Sequence, residues 1–173
     1  MNKITFGIFF LLFNFYFIIG PININLLPDS VGCILILIGS KELIKDSSKI
    51  KTITIITIIA MLSSLIVEVS IFLLLELPPM IHILNNIIIT FYFLVTTYII
   101  INELIKKEEE KNRDYKAKRL LKLWKIMTLT ILLTYTAYLN VEFELTLVSI
   151  NLMVSIMFTI MFYISKNIYK SYR

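Results

Sequence analysis

The chain has 173 residues, 58% of them hydrophobic, and carries 17 Lys and Arg against 12 Asp and Glu for a net charge of +5. A soluble domain is roughly half apolar, and a single core in a chain of this size could not hide the surplus, so a soluble globular protein is excluded. A lone cysteine, Cys33, excludes an intrachain disulfide, and no C-x-x-C, H-E-x-x-H, phosphate-loop or G-x-S-x-G pattern calls for a metal, a cofactor or a catalytic nucleophile.

The first apolar run, about 4–20, reads as a retained helix rather than a signal peptide. Asn14 and Tyr16 lie inside it, and Gly20-Pro21 offers no small-x-small cleavage site. The second, about 27–44, opens on Pro28-Asp29-Ser30. Proline suits the first helical turn because its missing N–H would be unpaired there, and an aspartate complements the positive helix end. Gly32 and Gly39, seven residues apart, share a face on which a neighbouring helix can come close. The third run, about 52–77, ends at Pro78-Pro79, which forces the turn into the fourth, about 80–105. A charged stretch, 106–125, follows; its Glu103/Lys107, Glu109/Arg113 and Asp114/Lys118 spacings suit helical extensions of the flanking runs. The fifth and sixth runs cover about 126–140 and 145–165. Crossing a hydrocarbon core of about 30 Å takes roughly 20 helical residues, so the expected fold is all-α: one integral membrane bundle of six transmembrane helices over 1–173.

The cations state a topology. They fall on Lys3, on Lys41 to Lys51, between Lys106 and Lys125, and on Lys166, Lys170 and Arg173, always on alternate sides of the apolar runs. The positive-inside rule places all of them, with both termini and the 106–125 loop, in the cytoplasm. Lys116, Lys118, Arg119, Lys122 and Lys125 crowd beside Trp124 at headgroup level, where anionic inner-leaflet lipid is the expected partner; nucleic acid is not. The other reading of this basic belt is a plain topological anchor.

Glu68 is the foremost candidate site residue. It lies inside the third run on one face with Ala60 and Ser64, and an intramembrane carboxyl is costly enough to suggest function. Asn14, Asn85, Asn86 and Asn151 fall in the same outer half, so the five could line a polar pocket open to the outside. The competing reading makes each a packing contact between helices. Cys33 and His82 could in principle pair as nucleophile and base, but Asp29, one turn before Cys33, opposes a thiolate, and the expectation is a non-enzymatic chain.

The stretch INLLPDSVGCILILIGSKEL resembles a segment of uncharacterised small polytopic membrane proteins of low-GC Gram-positive bacteria, in which an LLPD-x-x-G loop leads into an Ile/Leu-rich helix with a second glycine. Leu26, Leu27, Pro28, Asp29, Gly32 and Gly39 carry the match. The resemblance implies a bacterial plasma-membrane protein, with Asp29 and Gly32 as bearers of any role the motif has, and implies no activity. In size and form the six short-looped runs also resemble vitamin-binding subunits of energy-coupling transporters, without the A-x-x-x-A docking motif of their first helix. Two functions follow as expectations: small-solute or ion binding and permeation through the outer-half pocket, or a membrane partner or regulatory subunit that docks other proteins or a second copy of itself.

Overall fold

The computed structural model describes residues 1–13, 16–19, 22–25, 27–137 and 141–171. Its elements in order are α1 (Asn2–Leu12), β1 (Tyr16–Ile19), β2 (Ile22–Asn25), α2 (Asp29–Leu43), α3 (Ser47–Phe72), α4 (Pro79–Lys111), α5 (Ala117–Ala137) and α6 (Val141–Ser171). They divide into two compact units, Met1–Ile99 and Ile100–Arg173, with the division falling inside α4.

Three helical segments among the described residues are long and apolar enough to cross a membrane: Ser48–Phe72, Pro79–Lys111 and Thr146–Ser171. The chain is a multi-pass helical membrane protein, and the expectation of six spanning helices is corrected at both ends. The first run does not stay helical to residue 20. It stops at Leu12 and gives way to an antiparallel hairpin, in which Tyr16 pairs with Asn25 and Ile19 with Ile22. The physical reason is legible in retrospect: two short runs rich in β-branched and aromatic residues flank Gly20-Pro21, and proline disfavours helical geometry in the residue before it. At about 1.5 Å per residue α1 and α2 are only about 16 and 22 Å long, short of a hydrocarbon core. In α5 the spanning length is there, but Lys118, Arg119, Lys122 and Lys125 occupy its first half.

Helix ends are set by local chemistry that hydropathy does not see. Asp46 caps α3, its Oδ1 accepting from Ser48 N at 2.9 Å and Lys49 N at 3.4 Å, so the helix starts five residues before the apolar run. Its end at Phe72 is a Schellman turn: Leu75 N donates to Ser70 O at 2.9 Å and Leu74 N to Ile71 O at 3.2 Å, with Leu74 at φ 53°. The same turn closes α4, through Arg113 N to Glu108 O at 3.1 Å and Asn112 N to Glu109 O at 3.4 Å. Hence the expected Glu109/Arg113 and Asp114/Lys118 pairs straddle a turn rather than sharing a helix, and the ion pairs seen include Lys106–Glu110 at 3.7 Å and Glu109–Lys118 at 4.0 Å.

Polarity in the first unit is inverted relative to a soluble protein. Along α3, Ile59, Leu62 and Ile66 are 53%, 53% and 57% exposed, while Thr57 and Ser64 are buried. Buried hydroxyls bond back to their own helices, as Thr57 Oγ1 does to Ile53 O at 2.6 Å and Thr97 Oγ1 to Phe93 O at 2.6 Å. Satisfying polar groups inside the helix and turning aliphatic side chains outward is the arrangement that lipid requires.

Candidate functional site

The site is assembled from the start of α2, the last turns of α3 and the first half of α4, all in the first unit. The α1–α2 contact places α2. Gly7, Gly32 and Gly39 let the two backbones nearly touch: a Cβ on Gly7 would lie 2.7 Å from Gly32 O, and one on Gly39 2.9 Å from Ile4 N. The small-residue face expected to receive a neighbour therefore receives α1. Lys3 and Glu42 form an ion pair across this contact, so α1 and α2 run antiparallel with their basic ends together.

Against α2 so fixed, α3 presents Glu68. Its Oε1 accepts from Ser30 N at 3.2 Å and from Ser64 Oγ at 2.9 Å, and its Oε2 accepts from Ser30 Oγ at 2.6 Å. Ser30 is the second residue of α2, where backbone N–H groups have no intrahelical acceptor. The carboxyl thus meets the positive end of a helix from outside that helix. Glu68 shares its face with Ala60 and Ser64, both buried, as the i, i+4, i+8 spacing implies. Asp29, one residue before Ser30, interacts electrostatically with Glu68. This helix start therefore gathers two carboxyls and two hydroxyls, and among the described residues neither carboxyl has an ion-pair partner.

Two further ties surround it. Ser63 Oγ donates to Asn85 Oδ1 of α4 at 2.6 Å. Deeper in the same unit, the Tyr92 hydroxyl of α4 donates to Cys33 O of α2 at 3.1 Å and lies 3.4 Å from Thr57 Oγ1 of α3. Cys33 is fully buried and serves packing through its side chain and bonding through its carbonyl.

The expected polar residues are distributed as follows. Glu68 and Asn85 each bond across a helix pair of the first unit, and Asn86 lies on the exposed side of α4. Asn151 belongs to the second unit, where its Oδ1 is 3.4 Å from Thr130 Oγ1 of α5. Asn14 lies outside the described residues. Ser30, Ser63 and Tyr92 were not singled out by the sequence. Ser30 had a signal, since it follows Pro-Asp at a helix start; Tyr92 sits in an aromatic run with none.

In the second unit, the basic cluster falls on the turn between α4 and α5. Glu108, buried at the end of α4, accepts from Ala117 N at 2.7 Å and caps α5 from outside it. Tyr115 is buried against Tyr169 of α6, ring centroids 5.4 Å apart, and Lys107 Nζ lies 5.7 Å from the Tyr169 centroid. No group of three or more His, Cys, Asp or Glu among the described residues is placed to hold a metal ion. No family model matches the chain, and no curated protein or solved structure matches it either.

Proposed function

We propose that this chain is a non-enzymatic protein of the bacterial plasma membrane that binds, and passes, a small cation or cationic solute at the Glu68 end of its first unit. The observation that carries the reading is the pairing of Glu68 with the start of α2. Two neighbouring carboxyls and two hydroxyls converge in a low-dielectric setting without a basic partner among the described residues, and such a set is completed by a proton or a hard cation rather than by an anion. An all-oxygen donor set also argues against a soft metal.

The charge pattern supplies the orientation. α1, the hairpin and α2 go out and return to one side, as the Lys3–Glu42 pair supports. From there α3 leaves, α4 returns to Lys106 and Lys107, α5 leaves, and α6 returns to Lys166 and Lys170, so every cation falls on one side, the cytoplasmic one by the positive-inside rule. On that reading Glu68 faces the outer half. The resemblance to LLPD-x-x-G proteins implies a bacterial plasma membrane, with Asp29 and Gly32 as bearers of any role the motif has; the position of Asp29 beside Ser30 is what brings it to this site.

The alternative is a docking subunit. Its support is the ordered, charged α4–α5 turn; a second copy or partner could not use the Gly32/Gly39 face without displacing α1.

Thermal unfolding of the purified protein in nanodiscs, titrated with Na+, Ca2+ or acid against choline at constant ionic strength, tests the proposal. Stabilisation by one of these, abolished by Glu68→Gln and reduced by Asp29→Asn, is the expected result. A response that survives in both variants removes Glu68 from the site, and no response to any of the three removes the cation reading.

A further inference from the structure

The α4–α5 turn encloses an open cavity of about 520 Å³, into which Arg113, Lys116, Lys118 and Arg119 all face. Acidic side chains line it too, but each is already engaged. Glu108 caps Ala117 N, Asp114 Oδ1 accepts from Lys116 N at 2.7 Å, and Glu109 lies 4.0 Å from Lys118 Nζ. The side chains of Lys116 and Arg119 make no hydrogen bond or ion pair among the described residues. Lys116 immediately precedes α5, with φ 62°, and Arg119 lies in its first turn; both line the cavity. Four cations line the cavity against three acids, each acid is already engaged, and cations at the positive end of a helix are unfavourable, which leaves Lys116 and Arg119 to meet an anion.

We propose that this cavity binds a phosphate group, held by the guanidinium of Arg119 and the ammonium of Lys116. The planar guanidinium fork matches two phosphate oxygens, and the ammonium adds a point charge beside it. Trp124, five residues on, is about 7 Å further along the helix at ~1.5 Å per residue and marks the interface, which brings Arg119 to headgroup depth. The same chemistry fits a phosphatidylglycerol headgroup or a soluble phosphate. The inference rests on the membrane reading of α5 and stands apart from the cation site at Glu68.

Trp124 is the only tryptophan, so its fluorescence reports on this helix alone. The protein in phosphatidylcholine nanodiscs is titrated with phosphatidylglycerol in the disc or with inorganic phosphate in the buffer, and fluorescence and unfolding temperature are followed. Arg119→Gln and Lys116→Gly should each weaken the apparent affinity roughly tenfold or more, the loss expected for a charged hydrogen bond. Lys125→Gln, which removes the same charge outside the cavity, should change it no more than about twofold. Lys116→Gly also relieves a φ of 62°, so it is expected to fold at least as well as the parent. Saturation by phosphatidylglycerol alone assigns the site to lipid, and saturation by inorganic phosphate assigns it to a soluble ligand. Equal losses from Arg119→Gln and Lys125→Gln mean a diffuse charge belt and overturn the proposal, as does the absence of any response.

Discussion

Replacing Glu68 is the sharpest perturbation the structure offers, because its consequences can be sized bond by bond. Glu68→Ala strands three donors: Ser30 N–H, Ser30 Oγ and Ser64 Oγ, on residues only 5% and 1% exposed. A hydrogen bond to a charged acceptor contributes about 1.5–3 kcal/mol, but the three share one carboxyl and cannot add fully, and the hydroxyls can turn to other acceptors. Ser30 N–H cannot turn. The net loss should be about 2–4 kcal/mol, which for a chain of this length lowers the unfolding temperature by roughly 5–15 °C. Glu68→Gln keeps one acceptor and sets an amide NH2 against a hydroxyl, so it should cost about half as much. The double variant Glu68→Ala with Ser30→Ala isolates the contact. Ser30→Ala keeps its backbone N–H, so unfolding in mixed micelles should give a coupling energy of about 1–2 kcal/mol, that of the Ser30 Oγ–Glu68 Oε2 bond alone. If the single losses add to within about 0.3 kcal/mol, the residues do not meet and α2 is not held by α3 in this way.

Other substitutions address other joints. Gly7→Ala would drive a Cβ to 2.7 Å from Gly32 O and 3.0 Å from Ile36 N, both backbone atoms, so it should destabilise by about 1–3 kcal/mol and loosen the α1–α2 contact, as measured by slower cross-linking between cysteines placed at positions 3 and 42. Leu74→Gly should raise the unfolding temperature by a few degrees, because a leucine at φ 53° gives up about 1 kcal/mol that glycine does not. Tyr92→Phe removes the bond to Cys33 O while leaving Thr57 satisfied by Ile53 O, so it should cost about 0.5–1.5 kcal/mol, and hydrogen exchange should quicken in α2 rather than in α3.

Much of the helical order was readable from the chain, for reasons that particular residues make plain. Pro28-Asp29 marks the start of α2 and Pro79 begins α4, because proline tolerates only the first turn. The spacing of Ser64 and Glu68 put them on one face, and they bond. What escaped was set by chemistry outside the hydropathy signal. An apolar run of strand and one of helix look alike, so the hairpin after α1 read as more helix. The close of α3 depends on a Schellman turn with leucine where glycine is usual, and leucine carries no such signal. Asn85 and Asn151 read as members of one outer-half set, yet each finds its partner on a neighbouring helix of its own unit, Ser63 for Asn85 and Thr130 for Asn151. Two of the three donors to Glu68 come from Ser30, 38 positions back on α2, a tertiary contact that no local spacing encodes.

That α2 contact also bears on why an acid is there at all. Apart from the Lys3–Glu42 pair at the basic ends of α1 and α2, the other interhelical ties described in the first unit are neutral: Ser63 with Asn85, and Tyr92 with a backbone carbonyl. A hydroxyl or amide at position 68 could likewise accept from Ser30, at less cost than a carboxyl set in an apolar helix. Glu68 is the only acid in α3, and the one acid of the α2 first turn, Asp29, stands beside its bonding partner. Packing alone would favour separating two groups that carry like charge, since like charges repel. Their placement at one helix start becomes favourable once a proton or cation is shared between them. On this argument a neutral replacement such as Glu68→Gln loses the cation response entirely, whereas a variant that disturbs packing without touching the carboxyls, such as Tyr92→Phe, keeps it at a lower unfolding temperature.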